Sequence, residues 1–155
     1  MNQPNLVIRR ASPGDAAALT EIAVKAKRHW GYPNRWISRW RPALTITSEI
    51  INSMDVWAGL LDGEIVGFYA LRFSSDLGIL EHLWVLPASI HEGHGSALFQ
   101  HAAGRCRAQG CLTLQIESDP NAQGFYEKMG ARRVGDRIGE VDGQSRRLPV
   151  LELQL

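Results

Sequence analysis

The chain has 155 residues, of which 45% are hydrophobic and 21% are charged, and its net charge is +1 at pH 7. This length suits one core, so we expect residues 1–155 to form a single domain. The near-neutral charge argues against nucleic acid as a partner. No apolar run is long enough for a signal peptide or a membrane span, so we expect a cytoplasmic protein that does not bind a membrane.

Turn and cap signals divide the chain into helices and strands. The predicted strands cover residues 6–8, 55–61, 65–73, 77–86, 112–117, 132–138 and 148–155. The predicted helices cover residues 12–31, 93–109 and 119–130, and residues 34–53 are expected to add one or two short helices capped by Thr47 or Ser48. Asp62-Gly63 is a strong hairpin signal. The segment 141–147 is expected to be a mobile loop near the site, from which Arg146 or Arg147 could reach a phosphate.

The resulting order, β-α-α-β-β-β-α-β-α-β-β, predicts the α/β class with a mixed sheet flanked by helices. The cysteines, Cys106 and Cys111, are not spaced as C-x-x-C, and no second pair exists to complete a zinc site. We therefore predict two reduced core thiols and no metal.

The apolar stretch from Leu80 to Leu86 leads through Pro87 into Gly93-His94-Gly95-Ser96-Ala97, a glycine-rich helix entry. Backbone N–H groups and the positive end of a helix dipole meet there, which suits a phosphate or pyrophosphate. One strand later, Asn121 to Ala131 reads as a helix that is closed by Gly130. These two segments predict a site for a phosphate-bearing ligand.

Together the segments resemble the GNAT superfamily, the GCN5-related N-acetyltransferases, most specifically over residues 79–98 and 119–131. The resemblance implies the GNAT fold, a mixed and largely antiparallel sheet with splayed parallel strands and about four flanking helices. It also implies acetyl-coenzyme A (acetyl-CoA) as cosubstrate, and transfer of its acetyl group to the primary amine of a small-molecule acceptor.

The resemblance assigns residues to coenzyme binding. The pantetheine arm would bind the backbone of Val85, with Trp84 and Leu86 beside it. The pyrophosphate would bind five consecutive N–H groups, those of Gly93, His94, Gly95, Ser96 and Ala97. Asn121 would contact the coenzyme arm or cap its helix, and Phe125 would line the same site.

The chain departs from the family pattern at Ile90, where family members usually have Gln or Arg. A side-chain contact to the coenzyme is therefore lost. Either His91 or His94 could replace it as a donor, or both could be exposed loop residues.

The resemblance also implies two catalytic residues. Glu81 matches a general base that acts through water, and its spacing from Val85 predicts that both side chains share one face of the strand. Tyr126 matches the tyrosine that protonates the departing thiolate, because a phenol stays protonated at neutral pH. The alternatives are a charged residue paired across the sheet for Glu81 and a core aromatic for Tyr126.

The region between Glu21 and Glu49 contains no acidic residue but many basic and aromatic ones. It walls the acceptor site in the resembled family, so we expect a small anionic or aromatic acceptor to bind there. The residues expected to bind it are Trp30, Tyr32, Arg35, Trp36 and Arg39. The alternatives are a solvated basic face or a contact between subunits of a possible homodimer.

Two other functions fit parts of the sequence. A non-catalytic acyl-CoA-binding module would keep the same fold without turnover. An enzyme that binds a different pyrophosphate, such as NAD, would use the same glycine loop, but the loop lacks the G-x-G-x-x-G spacing.

Overall fold

A seven-stranded mixed sheet forms the centre of the computed structural model, which describes residues 5–155. The strands are β1 (Val7–Arg10), β2 (Asp55–Leu61), β3 (Glu64–Ser74), β4 (Leu77–Val85), β5 (Thr113–Glu117), β6 (Arg132–Val141) and β7 (Gln144–Gln154). Their order across the sheet is β1-β2-β3-β4-β5-β7-β6, and β4 and β5 run parallel while the other neighbours are antiparallel. The predicted mixed α/β fold is confirmed.

Five α-helices flank the sheet within residues 5–155. They are α1 (Ala16–His29), α2 (Asn34–Leu44), α3 (Ser48–Ser53), α4 (His94–Ala108) and α5 (Gln123–Lys128). Two of them lie over residues 34–53, in keeping with the one or two short helices expected there: Thr45 is extended and ends α2, and the hydroxyl of Thr47, one of the two expected caps, then accepts the Ile50 N–H at 3.1 Å to begin α3. Within residues 5–155, no helix is both long and apolar enough to cross a membrane.

The two faces of the sheet carry separate cores. On one face, α4 and α5 bury Leu98, Phe99 and Tyr126 against β3, β4 and β5. On the other face, α1, α2 and α3 bury residues such as Leu19 and Ile37 against Val56, Phe68 and Ala70. Cys106 and Cys111 are free and buried in the first core, as predicted.

The expectation that residues 141–147 form a mobile loop is wrong. β6 and β7 pair as a hairpin as far as Val141 and Gln144. Asp142 (φ 53°) and Gly143 (φ 77°) make the turn, as Asp62 and Gly63 do between β2 and β3. Both Asp-Gly pairs adopt positive φ angles, which are typical of two-residue hairpin turns.

A β-bulge in β4 changes which side chains face each core. Leu71 of β3 pairs with Leu80, but the preceding Ala70 pairs with His82, so Glu81 is the extra residue. Leu80 and Val85 consequently lie in the same core although an odd number of positions separates them. The expectation that Glu81 and Val85 share a face is wrong, because the bulge reverses the alternation between them.

The parallel strands β4 and β5 pair over only part of their length. Their ladder runs from Leu77 and Thr113 to Leu80 and Ile116, whereas β4 continues to Val85 beside β3. The edge of β4 that faces β5 is therefore open over residues 81–85. This opening is the splay expected from the resemblance.

Candidate active site

The open edge of β4 leads to the N-terminus of α4. Gly93 has a φ of +84°, a left-handed conformation that favours glycine, and no side chain caps the helix there. The first turn of a helix has N–H groups without partners inside the helix. The Ala97 N–H already donates to the Gly93 carbonyl at 3.1 Å, so the free donors are those from Gly93 to Ser96. This arrangement fits the pyrophosphate of coenzyme A.

The two histidines beside this helix end differ. His91 is exposed with a φ of +68°, as expected for a loop residue. His94 is buried, and its Nε2 lies 3.0 Å from Oε2 of Glu92. The exposed alternative is therefore wrong for His94, because its ring occupies the helix entry. Ile90 is half-buried, and its N–H donates to the Pro87 carbonyl.

The side chains of the three residues assigned to the pantetheine arm point to different faces. Val85 packs into the core under α4, where Gly95 and the ring of Phe125 adjoin it. Trp84 and Leu86 pack into the opposite core under α1 and α2. The Leu86 N–H donates to the Val66 carbonyl at 2.8 Å, so it is already satisfied within the sheet.

Tyr126 lies on α5 and is buried in the core that α4 and α5 cover. Its ring packs 5.1 Å from that of Phe125 and 5.7 Å from that of Phe99. Burial, aided by the negative charge of Asp119, raises the pKa of its hydroxyl above the ordinary value. The phenol therefore keeps its proton at neutral pH, which is what a proton donor needs.

Glu81 lies on the face that carries α1 and α2. Its Oε1 accepts from the guanidinium of Arg72 at 3.0 Å, and the side chain is exposed. The bulge places His82 on the same face, where it packs against Phe68 and its Nδ1 accepts the Trp84 indole N–H at 3.1 Å. Burial lowers the pKa of His82, although the charge of Glu81 opposes this.

Five residues on the same face form what we call the Asp119 cluster: Lys27, Tyr32, Trp40, Asp119 and Arg146. Lys27 Nζ lies 2.6 Å from Asp119 Oδ2, and the Tyr32 hydroxyl donates to the same carboxylate at about 3 Å. Arg146 donates to the Tyr32 hydroxyl at 2.8 Å. The cluster joins α1, α2, the end of β5 and the β6–β7 hairpin.

Electrostatic effects in the cluster follow from its burial. Burial acts to raise the pKa of Asp119, but the ammonium of Lys27 and several hydrogen bonds hold it below the usual range. Burial lowers the pKa of Lys27 even though Asp119 opposes this. Burial and the nearby carboxylate raise the pKa of Tyr32 to about 12. The carboxylate is therefore ionised and the phenol neutral at pH 7.

Aromatic rings surround the cations of the cluster. Lys27 Nζ lies 4.3 Å from the Trp40 ring centroid and 5.1 Å from that of Tyr32. Trp36 and Trp40 meet edge to face at 5.8 Å, which confirms that they share one side of α2. The Trp36 indole N–H is the buried side-chain donor that lacks a hydrogen-bond partner among residues 5–155.

The structure brings together only part of the predicted acceptor wall. Tyr32 and Trp36 lie at its centre. Arg35 is exposed and its Nε lies 2.5 Å from Asp142 Oδ2, and Arg39 lines a cavity of about 380 Å³ beside the β6–β7 turn. Trp30 is 37% exposed and packs on His29 outside the cluster.

Asn121 differs from its expected place. Its Nδ2 donates to the Tyr32 hydroxyl at 3.0 Å and to Asp119 Oδ1 at 2.9 Å, so the side chain is turned towards the cluster. Asp119 rather than Asn121 caps the turn before α5, by accepting the Asn121 N–H. The alternative of a helix-capping Asn121 is therefore wrong.

The sequence interpretation missed Asp119 as a site residue. The segment between Glu21 and Glu49 has no acid, but folding brings Asp119 and Asp142 to it from distant parts of the chain. The one signal in the sequence for a buried acidic partner was Lys27, a charged residue that adjoins the apolar positions of α1. Within the described residues, no group of three or more His, Cys, Asp or Glu is arranged to hold a metal ion.

Comparisons with known proteins agree with this geometry. A model of the acetyltransferase (GNAT) family matches residues 16–131. No curated protein sequence matches the chain. Among solved structures, the PaiA N-acetyltransferase of Thermoplasma acidophilum in complex with coenzyme A is 20% identical, with a TM-score of 0.76 over 97% of this chain and 99% of that one.

Two further structures are similar. A GCN5-related N-acetyltransferase of Rhodopseudomonas palustris is 22% identical, with a TM-score of 0.80 over 100% of this chain and 98% of that one. The ribosomal-protein-S18-alanine N-acetyltransferase of Escherichia coli is 19% identical, with a TM-score of 0.72 over 97% and 94% of the two chains. At these identities the likeness shows the fold.

Proposed function

The chain belongs to the acetyltransferase (GNAT) family and is an acyl-CoA-dependent acetyltransferase, and we propose that it acetylates the primary amine of a small anionic or aromatic acceptor by direct attack. One observation carries the proposal. Tyr126 packs against Phe125 on the coenzyme side, and Asp119, which caps the turn leading into the same helix, contacts Lys27 and Tyr32 on the other face. The segment from Asp119 to Tyr126 would thus join the coenzyme and acceptor parts of one site.

The coenzyme would be held mainly by backbone groups. The open edge of β4 at Val85 offers hydrogen bonds to an extended arm, and the N–H groups from Gly93 to Ser96 offer them to a pyrophosphate. These backbone contacts do not need the Gln or Arg side chain that family members usually have at the position of Ile90. Acetyl-CoA, when bound, supplies the thioester whose acetyl group is transferred.

Two side chains would move protons. Glu81, which lies on the acceptor face and is exposed, would accept a proton from the amine through a water molecule. Tyr126 would donate the proton of its hydroxyl to the departing sulfur. Neither step forms a covalent acyl-enzyme, and both cysteines lie in the core under α4.

The acceptor would enter between α2 and the β6–β7 hairpin. Tyr32 and Trp36 stack on each other there, and Arg35 and Arg39 line the rim. Aromatic faces and guanidinium groups favour a flat or anionic molecule.

Thermal denaturation with acetyl-CoA, NAD and ATP tests the coenzyme. A ligand at one hundred times its Kd adds about 2.7 kcal/mol to the free energy of unfolding. We expect a rise in Tm with acetyl-CoA and none with NAD. An equal response to NAD, or no response to acetyl-CoA, would contradict the proposal.

Release of free coenzyme A thiol in the presence of a panel of small amines then tests turnover. We expect release that depends on the amine. Binding of acetyl-CoA without release for any amine would instead favour the non-catalytic acyl-CoA-binding module.

A further inference from the structure

The Asp119 cluster holds one positive charge in excess. Lys27 and Asp119 together are neutral wherever their shared proton lies, whereas the guanidinium of Arg146 is always charged. Arg146 is 13% exposed, and its nearest carboxylate oxygen, at 3.8 Å, is the Asp119 Oδ2 that Lys27 already binds. A buried charge without its own counterion costs free energy. The cluster therefore favours an added anion.

Acidic side chains of the neighbouring hairpin do not balance this charge. Asp142 pairs with Arg35, and Glu140 lines the cavity beside the turn together with Arg39. Each of these acids faces a cation of α2. The excess charge at Arg146 persists when they are counted.

Two aromatic rings hold the planar guanidinium of Arg146 in position. Its central carbon lies 4.7 Å from the Trp40 ring centroid and 5.0 Å from that of Tyr32. One N–H donates to the Tyr32 hydroxyl. A guanidinium has five N–H donors, so others are available to a ligand that offers two parallel oxygens. A carboxylate has this geometry.

A second donor in the same stack lacks an acceptor. The Trp36 ring stacks on Tyr32 at 5.9 Å, and its buried indole N–H makes no hydrogen bond within residues 5–155. A buried donor without an acceptor costs free energy. An oxygen-rich ligand beside Tyr32 would relieve that cost.

We propose that Arg146 binds the carboxylate of the acceptor and that the acceptor is a free amino acid. This inference rests on the proposed function. Arg146 lies 3.8 Å from Asp119, and Asp119 caps the turn that leads into α5, the helix that carries Tyr126, so the acceptor must carry its amine close to its carboxylate, as an amino acid does. Its nitrogen bonds to the acetyl carbon as the carbon–sulfur bond breaks. The amine gives up one proton, and the departing sulfur gains one.

The test compares amino acids with their carboxamides. Each of the twenty amino acids and its amide is offered with saturating acetyl-CoA, and thiol release gives kcat/KM. The N-acetylated acids and amides are also titrated calorimetrically into the protein with coenzyme A. For the preferred side chain, we expect the acid to exceed the amide by at least about 30-fold in both measurements. The amine of the amide is less basic than that of the acid, so a larger fraction of it is unprotonated and reactive at neutral pH. This difference favours the amide, so a higher rate for the acid cannot come from the basicity of its amine.

Arg146→Gln should reduce the acid-to-amide ratio to within about threefold, because acids alone lose the carboxylate contact, whereas the loss of the contacts to Tyr32 and Trp40 affects acids and amides alike. Arg146→Lys keeps the charge but not the fork, and should give an intermediate ratio. Arg147→Gln is the matched control. Arg147 is the next residue, is 70% exposed and lies near Asp136 of β6, so its loss should leave the ratio unchanged.

The outcomes separate this inference from the proposed function. If acetyl-CoA binds and amides are bound or acetylated as well as acids by the unaltered protein, the carboxylate site is wrong and the acetyltransferase assignment stands. If Arg146→Gln keeps the full preference for acids, Arg146 is not the anchor. If acetyl-CoA does not bind, the proposed function itself fails, and calorimetry with the N-acetylated acids and amides alone still decides whether Arg146 selects a carboxylate.

Discussion

Lys27 Nζ lies 2.6 Å from Asp119 Oδ2, although the two residues are 92 positions apart in the chain. Both side chains are nearly buried, and the Tyr32 and Trp40 rings enclose the ammonium. The pair fixes the end of β5 to α1 on the face of the sheet that carries α1 and α2. It therefore sets the position of the turn that precedes Tyr126.

Removal of one partner of this pair should be costly. Asp119→Asn leaves a buried ammonium without its counterion and should lower the free energy of unfolding by about 3 kcal/mol. Lys27→Met combined with Asp119→Asn should lower it less, since the ammonium is then removed together with its counterion. Urea denaturation of the single and double variants measures the difference. A double variant that loses the sum of both single effects would show that the two side chains are not coupled.

Tyr126→Phe should lower kcat about 100-fold, because the departing sulfur loses its proton donor. The ring packing against Phe99 is kept, so Tm should change little. Tyr69→Phe is the matched control, since Tyr69 is also buried and its hydroxyl lies 2.6 Å from His101 Nδ1. That control should lose stability and keep kcat. Steady-state kinetics at saturating acetyl-CoA measure kcat for both variants. If Tyr126 were only a core aromatic, Tyr126→Phe would keep kcat.

Glu81→Gln should lower kcat, because the amide cannot accept a proton. Arg72→Gln is the matched control, since it frees the carboxylate of Glu81 from its ion pair without removing the base. This control should keep turnover in the same steady-state assay. An unchanged kcat in Glu81→Gln would assign the base to another group.

His82 should make the fold less stable in mild acid. Burial holds the pKa of folded His82 below the ordinary value of about 6.5. As the pH falls below that value, the unfolded chain takes up a proton and the folded one does not, so the free energy of unfolding decreases. His101 has a pKa lowered in the same direction, by burial and by Arg105, and adds to the effect.

Melting curves from pH 8 to pH 5 of the unaltered protein, His82→Gln and His101→Gln measure this dependence. Each variant should flatten part of the decrease. Asp119 titrates below its usual range and so affects stability only at lower pH. A decrease that survives in both variants would assign the titration to other groups.

Gly78→Ala should destabilise the sheet beside α4. A Cβ at Gly78 would lie 2.5 Å from Cys106 Sγ, so we expect a loss of about 1–3 kcal/mol from overpacking. Adding Cys106→Ala should recover much of it by making room. Gly104→Ala on α4 meets no atom within 4 Å and should stabilise the helix by about 0.5–1 kcal/mol. Chemical denaturation of the three variants gives the comparison.

Local patterns were sufficient to predict most of the fold. Asp62-Gly63, Thr47 and the apolar positions of α4 each act through near neighbours, and the helices and strands formed where expected. The same Asp-Gly pattern at residues 142 and 143 makes the turn of the β6–β7 hairpin, where a mobile loop was expected. The bulge at Glu81 has no local signal, because it depends on how β3 and β4 pair.

The acceptor side shows the limit of a single sequence. The aromatic stack of Tyr32, Trp36 and Trp40 lies within one short segment and was visible from its spacing. Its acidic partner comes from the end of β5 and its second cation from β7. Such contacts depend on the arrangement of the whole sheet, and the composition of the segment alone therefore predicted a wall without acids.

The short ladder between β4 and β5 makes the sheet two sections joined by a narrow connection. β1 to β4 form one section, and β5, β7 and β6 form the other. An extended ligand laid along the open edge of β4 and gripped by α4 and α5 would tie these sections together, as added rungs would. Acetyl-CoA would then do more than raise the melting temperature: the two sections would melt as one cooperative unit, and the unfolding transition would sharpen.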